Sequence, residues 1–231
     1  MSRQRLKLLL INSKKSVSEI MSKLRQQSDE QHDFTFHGVS LNESEALHAT
    51  YSEKVEFNDE TYDQFGNVID EISYVTYRNI SFHIEALDTN KLLMVIYNSP
   101  KSTRTFLDCF TRLFDFQMGF SNPELSLKAF RCVLESDLKA KLEGTGKVKV
   151  SRVVIDRAAK ASIEITSIKD AFQALEKLIE GKEYKLDKLS SSIYVDGHTI
   201  DFELSKTCSL RVRDEYLGYI LPSIKNTLIN Q

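Results

Sequence analysis

Apolar positions along the chain recur with two periods, and the alternation between them predicts strands and helices in turn. The run at residues 6–11 reads as a buried strand. Ser16-Val17-Ser18-Glu19 then supplies a capping box, and Val17, Ile20, Met21 and Leu24 follow at helical spacing. Phe34, Phe36 and Val39 mark a second strand and residues 47–57 a third. Gly66-Asn67 suits a tight turn requiring positive φ, and residues 72–84, alternating and rich in β-branched and aromatic side chains, read as a long returning strand. Residues 91–98 are apolar at successive positions, as in a central strand buried on both faces.

A helix is predicted from Ser102 or Thr103, with Phe106, Phe110, Leu113 and Phe114 on one side and Arg104, Asp108, Arg112 and Asp115 on the other, ended by Asn122-Pro123. A helix over 128–142 leads to Gly144-Thr145-Gly146, read as a turn and as the division of the chain. Strands follow at 147–155 and 161–166, then a helix carrying Ile168, Ala171, Phe172, Leu175, Leu178 and Ile179, closed by Gly181. Residues 192–195 and 199–204 flank the hairpin signal Asp196-Gly197, and residues 210–212 add a short strand. The last helix carries Leu217, Ile220, Leu221, Ile224 and Leu228, with Pro222 expected to kink it. The fold class is α+β: mainly antiparallel sheets covered by helices on one face, built as two strand-and-helix halves, 1–143 and 144–231. No Gly-Ser or Pro-rich linker separates them, so the halves are expected to pack as one unit.

Composition excludes disorder: 41% of the 231 residues are hydrophobic, with 13 Phe and 9 Tyr. Three cysteines, Cys109, Cys132 and Cys208, lack C-x-x-C spacing, which argues against a disulfide framework or zinc knuckle. No apolar run approaches the roughly 20 residues of a membrane span, and the basic-then-apolar start lacks a cleavage site. A cytoplasmic protein without membrane insertion is expected.

Motifs for catalysis are sparse, and neither a cofactor nor a metal is expected. Gly144-Thr-Gly-Lys147 invites a phosphate-loop reading but lacks the earlier glycine, the following Ser or Thr, and the strand-then-helix context. Asp196, Glu203 and Lys206 resemble the acids and lysine of a metal-dependent nuclease, although alternation puts Glu203 and Lys206 on opposite strand faces. Histidines 32, 37, 48, 83 and 198 include no pair at helical ligand spacing, and no nucleophile elbow occurs. A non-enzymatic role is the simpler expectation.

Charge is informative by placement. Lys+Arg 31 nearly cancel Asp+Glu 33, for a net −2. Yet Arg3, Arg5, Lys7, Lys14, Lys15, Lys23 and Arg25 face only Glu19 in one stretch. Lys139, Lys141, Lys147, Lys149, Arg152, Arg157 and Lys160 face only Glu143 and Asp156 in another, whereas residues 43–71 are acidic. Alternation places Lys147, Lys149 and Ser151 on one face of a strand with Arg152 at its end, a row suited to phosphates. An ordinary solvated sheet face is the alternative. The acidic hairpin would repel nucleic acid or meet a basic region of another subunit.

The order of pieces resembles that of the phage lambda exclusion protein RexA and the KwaB-type proteins of bacterial anti-phage systems. The matching pieces are the first strand and helix, the segment Ser102-Thr-Arg-Thr-Phe-Leu-Asp108, residues 147–165, the helix at 168–179 followed by Leu186-Asp187-Lys188-Leu189, and the terminal helix. The acidic hairpin has no counterpart there. The resemblance implies a homodimeric, non-enzymatic protein that binds DNA with low sequence specificity in phage exclusion or defence. The site expected from the residues is Lys147, Lys149, Arg152, Arg157 and Lys160, assisted by Lys14 and Lys15. The alternatives are a protein-interaction subunit that contacts a partner protein through the hairpin and the strand at 74–84, and a divalent-metal nuclease using Asp196 and Glu203.

Overall fold

The computed structural model describes residues 3–27, 33–88, 91–139 and 142–231. Its elements in chain order are β1 (Arg3–Asn12), α1 (Val17–Gln27), β2 (Phe34–Leu41), β3 (Leu47–Tyr62), β4 (Val68–Asp88), β5 (Lys91–Ile96), α2 (Arg104–Leu113), β6 (Gly119–Ser121) and α3 (Leu127–Leu138). There follow β7 (Leu142–Val154), β8 (Lys160–Thr166), α4 (Ala171–Ile179), β9 (Lys185–Val195), β10 (His198–Ser205), β11 (Ser209–Arg213) and, after one 3-10 turn, α5 (Leu217–Ile229). The α+β class holds, but in place of several sheets there is one sheet of 11 strands, in the order β2-β3-β4-β5-β1-β11-β10-β9-β7-β8, with β6 also paired to β1.

The first strand makes this a single sheet. β1 bonds to β5 through Lys7 to Ile11 on one side and to β11 through Arg3 to Lys7 on the other, all antiparallel. Beyond Lys7, β6 takes over from β11 along the same side, opposite Leu10 to Asn12. The first and last strands of the chain therefore lie side by side at the middle of the sheet, and the boundary expected at 143/144 falls inside β7.

Alternation along β1 splits its side chains between two cores. Leu9 and Ile11 join Met94, Ile96, Phe82 and Tyr51 beneath α1 and α2, on the front face. Leu6 and Leu8 join Leu93, Val95, Phe202 and Leu210 beneath α3, α4 and α5, on the back face. The expectation of helices on one face is thus corrected: α1 and α2 cover the front of the β2–β1 half, and α3, α4 and α5 cover the back of the β11–β8 half. The front of the β11–β8 half carries no helix, whereas α5 extends over the back of the sheet as far as β4, where Lys225 bonds Glu85.

Local chemistry explains most element ends. The expected capping box opens α1, the Ser16 amide donating to the Glu19 carboxylate at 2.7 Å and the Glu19 amide to Ser16 Oγ at 3.3 Å. Asp170 caps α4 by accepting from the Phe172 amide at 2.8 Å, and Gly181, at φ +78, leads the chain away. Helix α2 stops well before Asn122-Pro123, because Asp115 and Phe116 adopt left-handed φ of 52 and 59 and release the chain into β6. Gly144-Thr145-Gly146 is not a turn but part of β7 opposite β9, where Thr145 Oγ1 lies 3.0 Å from Ser191 Oγ. A Cβ on Gly144 would stand 2.8 Å from the Lys169 carbonyl oxygen, so glycine serves close backbone approach there and not phosphate binding. No helix among the described residues is long and apolar enough to cross a membrane.

Because β1 feeds both cores, Leu8→Ala and Leu9→Ala should each destabilise the whole molecule by about 2–5 kcal/mol. In urea titrations, fluorescence probes placed in either half should report one shifted transition for both variants. A variant that melts only one half would contradict the shared-strand account.

Candidate nucleic-acid interface

The front face of the β11–β8 half carries polar and charged side chains and no helix. Since Leu204, Leu210, Leu189 and Val148 point to the back core, alternation turns Glu203, Arg211, Lys188, Ser190, Lys147 and Lys149 to the front. The register aligns them across strands as Lys147, Ser190, Glu203, Arg211 and Arg5, each opposite the next. Four strand spacings separate Lys147 from Arg5, about 19 Å. A neighbouring row runs through Glu164, Lys149 and Lys188. Arg3 and Arg213 lie opposite each other at the near end.

Three directly opposed pairs are alike in charge: Arg3 with Arg213, Arg5 with Arg211, and Lys149 with Lys188. Such pairs destabilise a sheet unless an anion lies over them. Carboxylates relieve part of the repulsion. Glu203 holds Lys188 at 2.8 Å and Arg211 at 3.6 Å, Asp201 holds Arg3 at 3.3 Å, and Glu164 pairs with Lys147. That last partner raises the Lys147 pKa through its hydrogen bond and charge. Neither Arg5 nor Lys149 forms an ion pair among the described residues. Lys7, whose Nζ donates to Thr103 Oγ1 at 3.2 Å, has its pKa lowered by burial and by the adjacent Arg5. The excess positive charge therefore lies toward the two ends of the row, around Arg5 and Arg211 and around Lys147 and Lys149, on either side of Glu203, and it suits a polyanion.

The expected site residues distribute unevenly around this surface. Lys147 and Lys149 lie on it, and Lys160 starts the edge strand at its far corner, opposite Val154. Arg152 is diverted by the bulge between Val150 and Val153, where it adopts a left-handed φ of 57. Arg157 sits in the β7–β8 turn, beside an Asp156 carboxylate that accepts from the Ala158 and Ala159 amides. Lys14 and Lys15 follow the opposite end of β1, in the loop before α1, and do not join the row. Lys141 lies outside the described residues. Sequence reasoning left Arg3, Arg5, Lys7, Lys188, Arg211 and Arg213 out of the site. The i, i+2 spacing of Arg3, Arg5 and Lys7, and of Arg211 and Arg213, was the available signal; the pairing of β1 with β11 was not.

The nuclease residues are kept apart. Asp196 occupies the β9–β10 turn and accepts from the Tyr219 hydroxyl at 3.1 Å, while Lys206, at the other end of β10, pairs with Asp187. Glu203 is engaged by Lys188 and Arg211. No group of three or more His, Cys, Asp or Glu able to hold a metal occurs among the described residues. His37, His48 and His83 fall on the back face of the other half. His37 Nε2 lies 2.8 Å from Ser52 Oγ, and His48 stacks on His83 with ring centres 5.2 Å apart. His83 Nε2 lies 3.2 Å from the Glu85 carboxylate, and its Nδ1 lies 2.7 Å from the Tyr97 hydroxyl. Lys225 of α5 donates to the same Glu85 at 2.6 Å. His32 lies outside the described residues.

No protein-family model matches this chain, and no curated protein matches it.

The Glu85 cluster joins the two halves and titrates. Burial raises the Glu85 pKa, but the hydrogen bonds and charges of His83 and Lys225 outweigh it and hold the carboxyl below its ordinary value. A depressed folded-state pKa contributes stability above the unfolded value, lost as pH falls through the folded one. Glu85→Gln should therefore lower the melting temperature near neutral pH and flatten its decline in the acid range where carboxylates titrate. Thermal melts across pH check this, and parallel curves for wild type and variant would refute it.

Proposed function

We propose that this chain is a non-enzymatic nucleic-acid-binding protein that holds duplex DNA by its phosphates across the open front face of the β11–β8 half. One observation carries the reading: like-charged pairs stand opposite one another toward both sides of a helix-free sheet face, with Arg5 and Lys149 outside any ion pair among the described residues. The row is about as wide as a duplex. Its side chains are Lys, Arg and Ser with Glu203 among them, on a sheet face suited to backbone contacts and not to the edges of bases in a groove, so low sequence specificity follows. Phage exclusion or anti-phage defence is the setting that the resemblance to RexA and KwaB-type proteins supplies.

Gel-shift titration of a short duplex decides the matter. Lys147→Glu with Lys149→Glu, and separately Arg5→Glu with Arg211→Glu, should each weaken binding by about tenfold or more and lower the salt slope by about 0.9 for each phosphate that is no longer neutralised. Lys14→Glu with Lys15→Glu should change binding far less. Absence of binding near 50 mM salt, or equal binding by all variants, would remove the proposal.

A further inference from the structure

Beyond Glu53 and Arg78 the β3–β4 hairpin leaves the body of the sheet. Its β2 partner ends at the Phe34–Glu53 pair, and β5 pairs with β4 only from Phe82 onward. The eight cross-strand pairs from Lys54–Tyr77 to Thr61–Asp70 stand alone, an arm about 25 Å long. A two-stranded ribbon of this kind is marginal in water by itself. Its front side, continuous with the core face of Tyr51 and Phe82, carries Val55, Phe57, Ile72 and Tyr74, and the Phe57 and Tyr74 rings stack at 5.2 Å. Tyr77 is 66% exposed and Phe65, at the tip, 79%. The arm is also strongly acidic: Glu56, Asp59, Glu60, Asp63, Asp70 and Glu71 stand against Lys54. Glu60 lies directly opposite Glu71, a like-charged pair with no cation on either residue among the described residues.

On the front side the Phe57 and Tyr74 rings share the ribbon with the carboxylates of Asp59 and Asp70, a surface for guanidinium groups, which stack on rings while donating to carboxylates. This chain carries such groups: Arg3, Arg5, Arg211 and Arg213 on the open front face, with its own opposed like-charged pairs. We propose that the acidic arm of one copy docks on the arginine-rich front face of a second copy, and the second copy's arm on the first, in a two-fold dimer. Each surface supplies the counter-charge that the other lacks. Arm-on-arm pairing would instead bring Glu60 and Glu71 of both copies together. If the front face also holds DNA, which rests on the function proposed above, arm and DNA compete for it.

A charge exchange tests the contact. One variant carries Asp59→Lys, Glu60→Lys, Asp70→Lys and Glu71→Lys; the other carries Arg5→Glu and Arg211→Glu. Sedimentation velocity of the full chain at low salt should show a wild-type dimer that dissociates as salt rises, and each variant alone as a monomer. An equimolar mixture of the two should restore a dimer, since both of its contacts then join opposite charges. A monomeric wild type, a dimer that survives either variant, or a mixture that stays monomeric would overturn the proposal. The arm variant keeps its basic face, so its gel shift separates the two readings. Dimer exchange without DNA binding removes only the nucleic-acid function, and DNA binding by monomers throughout removes only the arm contact.

Discussion

The hydrogen bonding of β1 on both sides governs the architecture. Its lower residues pair with the last strand of the chain and its upper residues with β5, and its alternate side chains feed different cores. A strand so placed cannot shift register by one residue without carrying Leu6 and Leu8 to the front and Leu9 and Ile11 to the back. The helices then divide accordingly, two on the front of one half and three on the back of the other.

That division leaves the front of the β11–β8 half bare and the back of the β2–β1 half met by α5 only at one end, and the two faces differ in chemistry. The back of the β2–β1 half carries groups bonded to one another, including His37 with Ser52, Ser52 with Asn79, Thr50 with Ser81, and Glu85 with His83 and with Lys225 of α5. The front of the β11–β8 half is different: its cations outnumber the carboxylates that reach them, and opposed arginines and lysines remain. One face is engaged in contacts of its own, and the other is left with charge to offer.

Long-range pairing concentrates that charge. Arg5 and Arg211 come from opposite ends of the chain yet oppose each other in the sheet, while Lys14 and Lys15, close to Arg5 in sequence, are carried away past the end of β1. A basic stretch in sequence is therefore a poor guide to a basic surface here. The acidic arm shows the converse: its charges are local in sequence and stay local in space, because a hairpin pairs residues with their own neighbours.

Much of the secondary structure was legible from local rules: the Ser16–Glu19 capping box, the Gly66-Asn67 and Asp196-Gly197 turns, the two-sided apolarity of β5, and the αL exit of α4 at Gly181 are set by residues within a few positions of one another. The common face of Lys147 and Lys149 was legible for the same reason, since strand alternation alone assigns it. Where the outcome depended on distant partners, local rules misled. Gly144-Thr145-Gly146 has the composition of a turn, but pairing with β9 and the approach of the Lys169 carbonyl make it strand. Arg152 continues the basic pattern, but a bulge turns it aside. The order of residues was enough to set most elements and their amphipathic faces, because those follow from propensity and period. Which strands adjoin, and so which cations share a surface, came only with the folded chain, because it depends on β1 joining both ends of the sequence.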